Sequence, residues 1–127
     1  MAYKTTYPYT NEVLKEFANN SDADLEKALV TGHALYKKWR AEGGLEERKA
    51  QLHKVADILR RDVDKYAEVM TKDMGKLFTE AKGEVELCAE IADYFADKAE
   101  EFLEPKAFEP IHGDAYYIKQ AVGVLYG

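Results

Sequence analysis

A single cysteine, Cys88, rules out a disulfide within the chain and makes a reducing cytoplasm the expected setting. No apolar run approaches the roughly 18 residues a membrane span needs, and the first residues hold no signal-peptide core. Charge of one sign is not concentrated anywhere either. The 24 acids and 18 bases are interleaved for a net −6, which gives no reason to expect nucleic acid or an anionic membrane as partner. Internal repeats and low-complexity segments are absent. Chemistry is equally scarce, with no nucleophile–base set and no phosphate loop. His33, His53 and His112 fall on separate elements without metal-ligand spacing. Gly43-Gly44 and the Gly123/Gly127 pair lack the strand–turn–helix setting that cradles phosphate. What remains is one globular domain's worth of chain, 127 residues with 46% hydrophobic and 33% charged side chains.

The organising stretch is 73–84, Asp-Met-Gly-Lys-Leu-Phe-Thr-Glu-Ala-Lys-Gly-Glu, with the helix that follows it to Leu103. Before it, residues 3–17 predict a hairpin turning at Thr10-Asn11, with Pro8 confining the first arm to an edge. Two strands do not hold together alone in water, so this hairpin must pack on something. Ser21 and Asp24 form a capping box for a helix ending at Gly43-Gly44. Its face carries Leu25, Ala28, Leu29, Gly32, Leu35, Tyr36 and Trp39. Residues 45–74 hold two apolar stripes, read as two helices broken near Arg61–Val63 with Asp62 as a cap, or as one continuous helix. Gly75 stops either version.

From Leu77 to Leu103 the period places Ala81, Val85, Cys88, Ile91, Ala92, Phe95, Ala99 and Phe102 on one face, so Cys88 reads as core. Gly83 inside that helix costs about 1 kcal/mol against alanine, a cost that usually admits a close neighbour or a ligand path. Glu80, Glu84, Glu86 and Glu90 read as a solvated flank. Beyond Pro105, residues 106–111 and 115–120 predict two extended arms about Gly113-Asp114. Residues 121–127 read as an apolar strand buried on both faces of a parallel sheet, broken off inside it.

Gly75-Lys76, Glu80-Ala81-x-Gly83-Glu84, Tyr94-Phe95-Ala96 and Gln120-Ala121-Val122-Gly123-Val124, in that order, resemble the N-terminal quarter of the NAD(P)-dependent aldehyde dehydrogenase superfamily. The first group looks closest to its succinate-semialdehyde branch. The resemblance implies an α/β fold, with this mostly helical segment belonging to a Rossmann-type cofactor-binding domain. Residues 1–105 would supply its N-terminal hairpin and helices, 106–120 an oligomerisation hairpin, and 121–127 the first strand of its sheet. A dimeric or tetrameric oxidoreductase using NAD or NADP is implied, with the rest of the same enzyme as partner. The oxyanion asparagine, cofactor loop, general-base glutamate and nucleophilic cysteine would all lie outside these residues.

In that family a cysteine thiolate attacks the aldehyde to give a thiohemiacetal before hydride transfer. The resemblance also implies that Gly83, Glu84 and Leu87 line the aldehyde tunnel. A structural cation would sit between a main-chain carbonyl near Thr6 and Asp73. Asn11 departs from the family's usual turn glycine. A free-standing helical interaction module whose apolar end docks on a partner sheet is the competing expectation.

Overall fold

The computed structural model describes residues 3–109 and 113–125. Strands β1 (Tyr3–Tyr7) and β2 (Glu12–Phe17) form the expected antiparallel hairpin. Thr5 pairs with Lys15 and Thr6 with Val13, which leaves Leu14 as the extra residue of a bulge. Asn11 adopts φ 59° and donates its N–H to the Tyr7 carbonyl at 2.8 Å. A short polar side chain tolerates this left-handed turn in place of glycine. β2 is exposed along its whole length, whereas β1 lies against the third helix, as an unstable two-stranded ribbon requires.

Helix α1 (Asp22–Glu42) starts at the predicted capping box. The Asp24 N–H donates to Ser21 Oγ at 3.2 Å, and the Ser21 N–H donates to the Asp24 carboxylate at 3.1 Å. The Ser21 hydroxyl and N–H hold that carboxyl below its usual range. Gly43 and Gly44, both with positive φ, turn the chain into α2 (Leu45–Arg61). The break before α3 (Val63–Met74) falls at Asp62, which settles the choice between one helix and two. Asp62 does not cap α3 with its side chain as expected. Its carboxylate instead takes a bidentate pair of bonds from Arg61 at 3.1 and 2.7 Å. Gly75 closes α3 in the left-handed region.

Helix α4 (Phe78–Leu103) packs along α2 and α3. Its buried residues are Ala81, Val85, Ala89, Ala92 and Ala96. The expected face is therefore right at Ala81, Val85 and Ala92 but displaced elsewhere. Cys88, Ile91 and Phe95 point outward, so Cys88 is exposed and not core. The reason is steric. Alanines let α4 lie close to α2, where Ala56 faces Ala89 and Ala92, while the larger apolar residues would hold the helices apart. Ion pairs flank this seam, including Lys49 to Glu100 at 2.6 Å and Lys82 of α4 to Asp64 of α3 at 2.6 Å.

Strands β3 (Lys106–Phe108) and β4 (Ala115–Tyr117) form a second antiparallel hairpin, shorter than the predicted arms. Ile111 and His112 lie outside the described residues. The expected strand over 121–127 is not formed in its described part, 121–125. A strand requires a neighbouring backbone to bond with, and among the described residues the sheets pair only β1 with β2 and β3 with β4. Val122 and Leu125 are about nine-tenths exposed, while Val124 approaches Gly32 of α1 so closely that a Cβ there would meet its Cγ2 at 3.0 Å.

Among the described residues, the buried set is six alanines and Val85. The chain exposes 10456 Å² of surface, against about 6,800 Å² for a self-contained monomer of this mass. Much of its apolar surface is therefore uncovered.

Candidate functional site

Gly75 follows the last residue of α3 and Leu77 precedes the first residue of α4, and the short link sends Lys76 back over the new helix to pair with Glu84. Gly83, Glu84 and Leu87 share a face on the far side of α4 from the Ala81/Val85/Ala89 stripe. Leu87 is 52% exposed. A Cβ placed on Gly83 would meet no atom within 4 Å, so the close neighbour its presence implied does not come from these residues. Gly83→Ala should accordingly favour the helical state of the 127-residue chain by about 1 kcal/mol, seen as a gain in helix content by circular dichroism. The same substitution in a longer protein would reverse sign if another element is seated on this face. Further along the same outer side Ile91, Tyr94 and Phe95 are about half exposed. Tyr94, Phe95 and Phe102 cluster with ring centroids 5.5 to 6.0 Å apart. A helix apolar on two sides is built to be covered on both.

The four glutamates of the flank, Glu80, Glu84, Glu86 and Glu90, are all exposed, as expected. Cys88 forms no hydrogen bond among the described residues, and no base stands beside it. It has none of the surroundings that activate a thiol. His33 packs against Tyr36 with ring centroids 5.8 Å apart. His53 sits in the α2–α4 seam between Asp93 and Asp97. That pairing was missed in the sequence, although two aspartates four residues apart share one helix face.

Thr6 lies on β1, the strand that packs on α3, and Asp73 is an exposed carboxylate in the last turn of α3. A carbonyl and one carboxylate are two oxygen donors, where a hard cation takes six or more. No group of three or more histidine, cysteine, aspartate or glutamate side chains able to hold a metal occurs among the described residues. These residues alone do not fit a cation. A groove of about 540 Å³ runs between the C-terminal half of α1 and residues 119–124, floored by Leu35, Trp39 and Leu103. Gly32 inside an apolar stripe was its one sequence signal.

The model of the aldehyde dehydrogenase family matches residues 1–127, the full length given. The chain belongs to the aldehyde dehydrogenase family. Succinate-semialdehyde dehydrogenase [NADP(+)] of Deinococcus radiodurans is 34% identical over 98% of this chain and 26% of its own length. NADP-dependent glyceraldehyde-3-phosphate dehydrogenase of Streptococcus equinus is 36% identical over 81% of this chain and 22% of its own length. The crystal structure of succinic semialdehyde dehydrogenase from Streptococcus pyogenes, solved with NADP+ as cofactor, superposes with a TM-score of 0.91. It is 67% identical over 95% of this chain and 27% of that one. This aldehyde dehydrogenase chain thus spans about a quarter of the length of the curated relatives it matches. Its fold is that of the corresponding part of the family. These two curated relatives are named for different aldehydes.

Proposed function

We propose that the protein carrying these residues oxidises succinate semialdehyde to the dicarboxylic acid, with NADP+ as electron acceptor and water as the oxygen source. The 67% identity to the Streptococcus pyogenes enzyme carries this reading, and the 34% identical Deinococcus radiodurans relative is named for the same activity and cofactor. When bound, the nicotinamide accepts the hydride leaving the substrate carbon. The attack by a cysteine thiolate and the general base belong to parts of the enzyme outside these residues, and Cys88 is not that thiolate.

This chain's share of the work is structural. α4, held by its alanine stripe to α2 and α3, presents Gly83, Glu84 and Leu87 as a wall of the aldehyde tunnel, and Lys76 neutralises Glu84 there. Residues 106–120 contribute to a homodimer or homotetramer contact. The Thr6 carbonyl and Asp73 give at most part of a cation shell completed elsewhere. No helix among the described residues is long and apolar enough to cross a membrane. A cytoplasmic setting is part of the proposal, on the reducing environment that a lone cysteine suits. The reading as a free-standing interaction module draws no support from any observation, because the family spans the chain from end to end.

Steady-state kinetics of the intact enzyme test the proposal. With succinate semialdehyde, kcat/KM should be at least about tenfold higher with NADP+ than with NAD+, roughly 1.4 kcal/mol of discrimination. Glyceraldehyde 3-phosphate as the preferred substrate would overturn it.

A further inference from the structure

The densest group of titratable side chains away from the proposed tunnel bridges α2 and α4. His53 of α2 has Nδ1 2.8 Å from Asp93 Oδ1 and Nε2 3.4 Å from Asp97 Oδ1. The two carboxylates stand one turn apart on α4. Arg60, also on α2, donates to the second oxygen of Asp93 at 2.6 Å. One turn before His53, Lys49 ties Glu46 of its own helix to Glu100 of α4 at 3.1 and 2.6 Å. The groups facing the imidazole are thus Asp93 and Asp97 from α4. Arg60 reaches it only through Asp93, and α3 sends it no charged side chain among the described residues. The ring is 44% exposed, so protons exchange with it freely.

An ionised carboxylate accepts hydrogen bonds and donates none. A neutral imidazole donates from one nitrogen and turns a lone pair outward at the other, so between two carboxylates it bonds one and repels the other. An imidazolium donates to both. We propose that His53 is a proton-operated clamp on the α2–α4 seam, engaging Asp93 and Asp97 together when doubly protonated and only one of them when neutral.

His53, then Arg60, hold the Asp93 carboxyl below its usual range, so its contribution is present above the ordinary carboxylate range and is lost as pH falls through the lower folded value.

Amide hydrogen exchange on the intact enzyme, at about pH 6 and about pH 8 with intrinsic rates divided out, reads the clamp directly. The α2 amides and those of the C-terminal half of α4 should exchange about two- to fivefold more slowly at the lower pH, the scale of an exposed ion pair. His53→Gln keeps a donor but takes no second proton, and should remove the difference. Asp97→Ala, at an exposed position, should do the same while leaving the Asp93 bond in place. No pH difference in the unaltered enzyme, or one that persists in either variant, overturns the proposal.

Discussion

Ala89→Asp in the intact enzyme is expected to cost at least about 3 kcal/mol, enough to lower soluble yield and the unfolding midpoint together. Ala89 has no exposed surface and packs against Ala56 and Ala92, with Leu59 beside them. Aspartate there adds volume where two helices already touch and places a carboxylate away from water. The nearby cations are committed elsewhere, Lys49 to Glu46 and Glu100, and Arg60 to Asp93. Neutralising the new acid by protonation would still leave an unsatisfied polar group in an apolar seam. A midpoint within a degree or two of the unaltered enzyme would show that α2 and α4 do not close as described.

The 127-residue chain by itself should show no sharp calorimetric transition and should bind hydrophobic dye strongly. Among the described residues, six alanines and one valine make up the buried set. Each alanine contributes little transfer free energy, while fixing the backbone costs about 1–2 kcal/mol per residue. The surface in excess of a self-contained monomer includes Leu25, Leu29 and Val30 of α1 and Leu87, Ile91 and Phe95 of α4. Those side chains should drive association. Dinucleotide titration and aldehyde oxidation are expected to give null results with this chain. A monodisperse species of 14.4 kDa that melts cooperatively, or one that turns over aldehyde, would contradict the account.

The parts legible in advance share a short range. The Ser21/Asp24 box, the positive φ of Asn11, Gly43 and Gly75 and the stop before Pro105 each depend on residues within about one helical turn, whereas a break near Asp62 is one of two readings that the local sequence allows. The family motifs were legible for a different reason, since their order along the chain is preserved whatever they touch. The misread parts all depend on a neighbour. On α4 the residues Ala81, Val85 and Ala92 can be joined either to Cys88, Ile91 and Phe95 or to Ala89 and Ala96, and helical period permits both. Hydrophobicity favoured the larger residues, and that choice put Cys88 in the core.

Amino-acid order alone thus determined the sequence of helices and hairpins, the helix ends marked by Ser21, Gly43, Gly75 and Pro105, and to which family the chain belongs. Tertiary structure alone decided which side of α4 meets α2, because only the smaller side chains permit that approach. It also decided that Gly83 faces open space and that His53 lies between two carboxylates. For residues 121–125 it showed that an apolar β pattern stays unpaired, since a strand exists only when another backbone lies alongside to complete its hydrogen bonds.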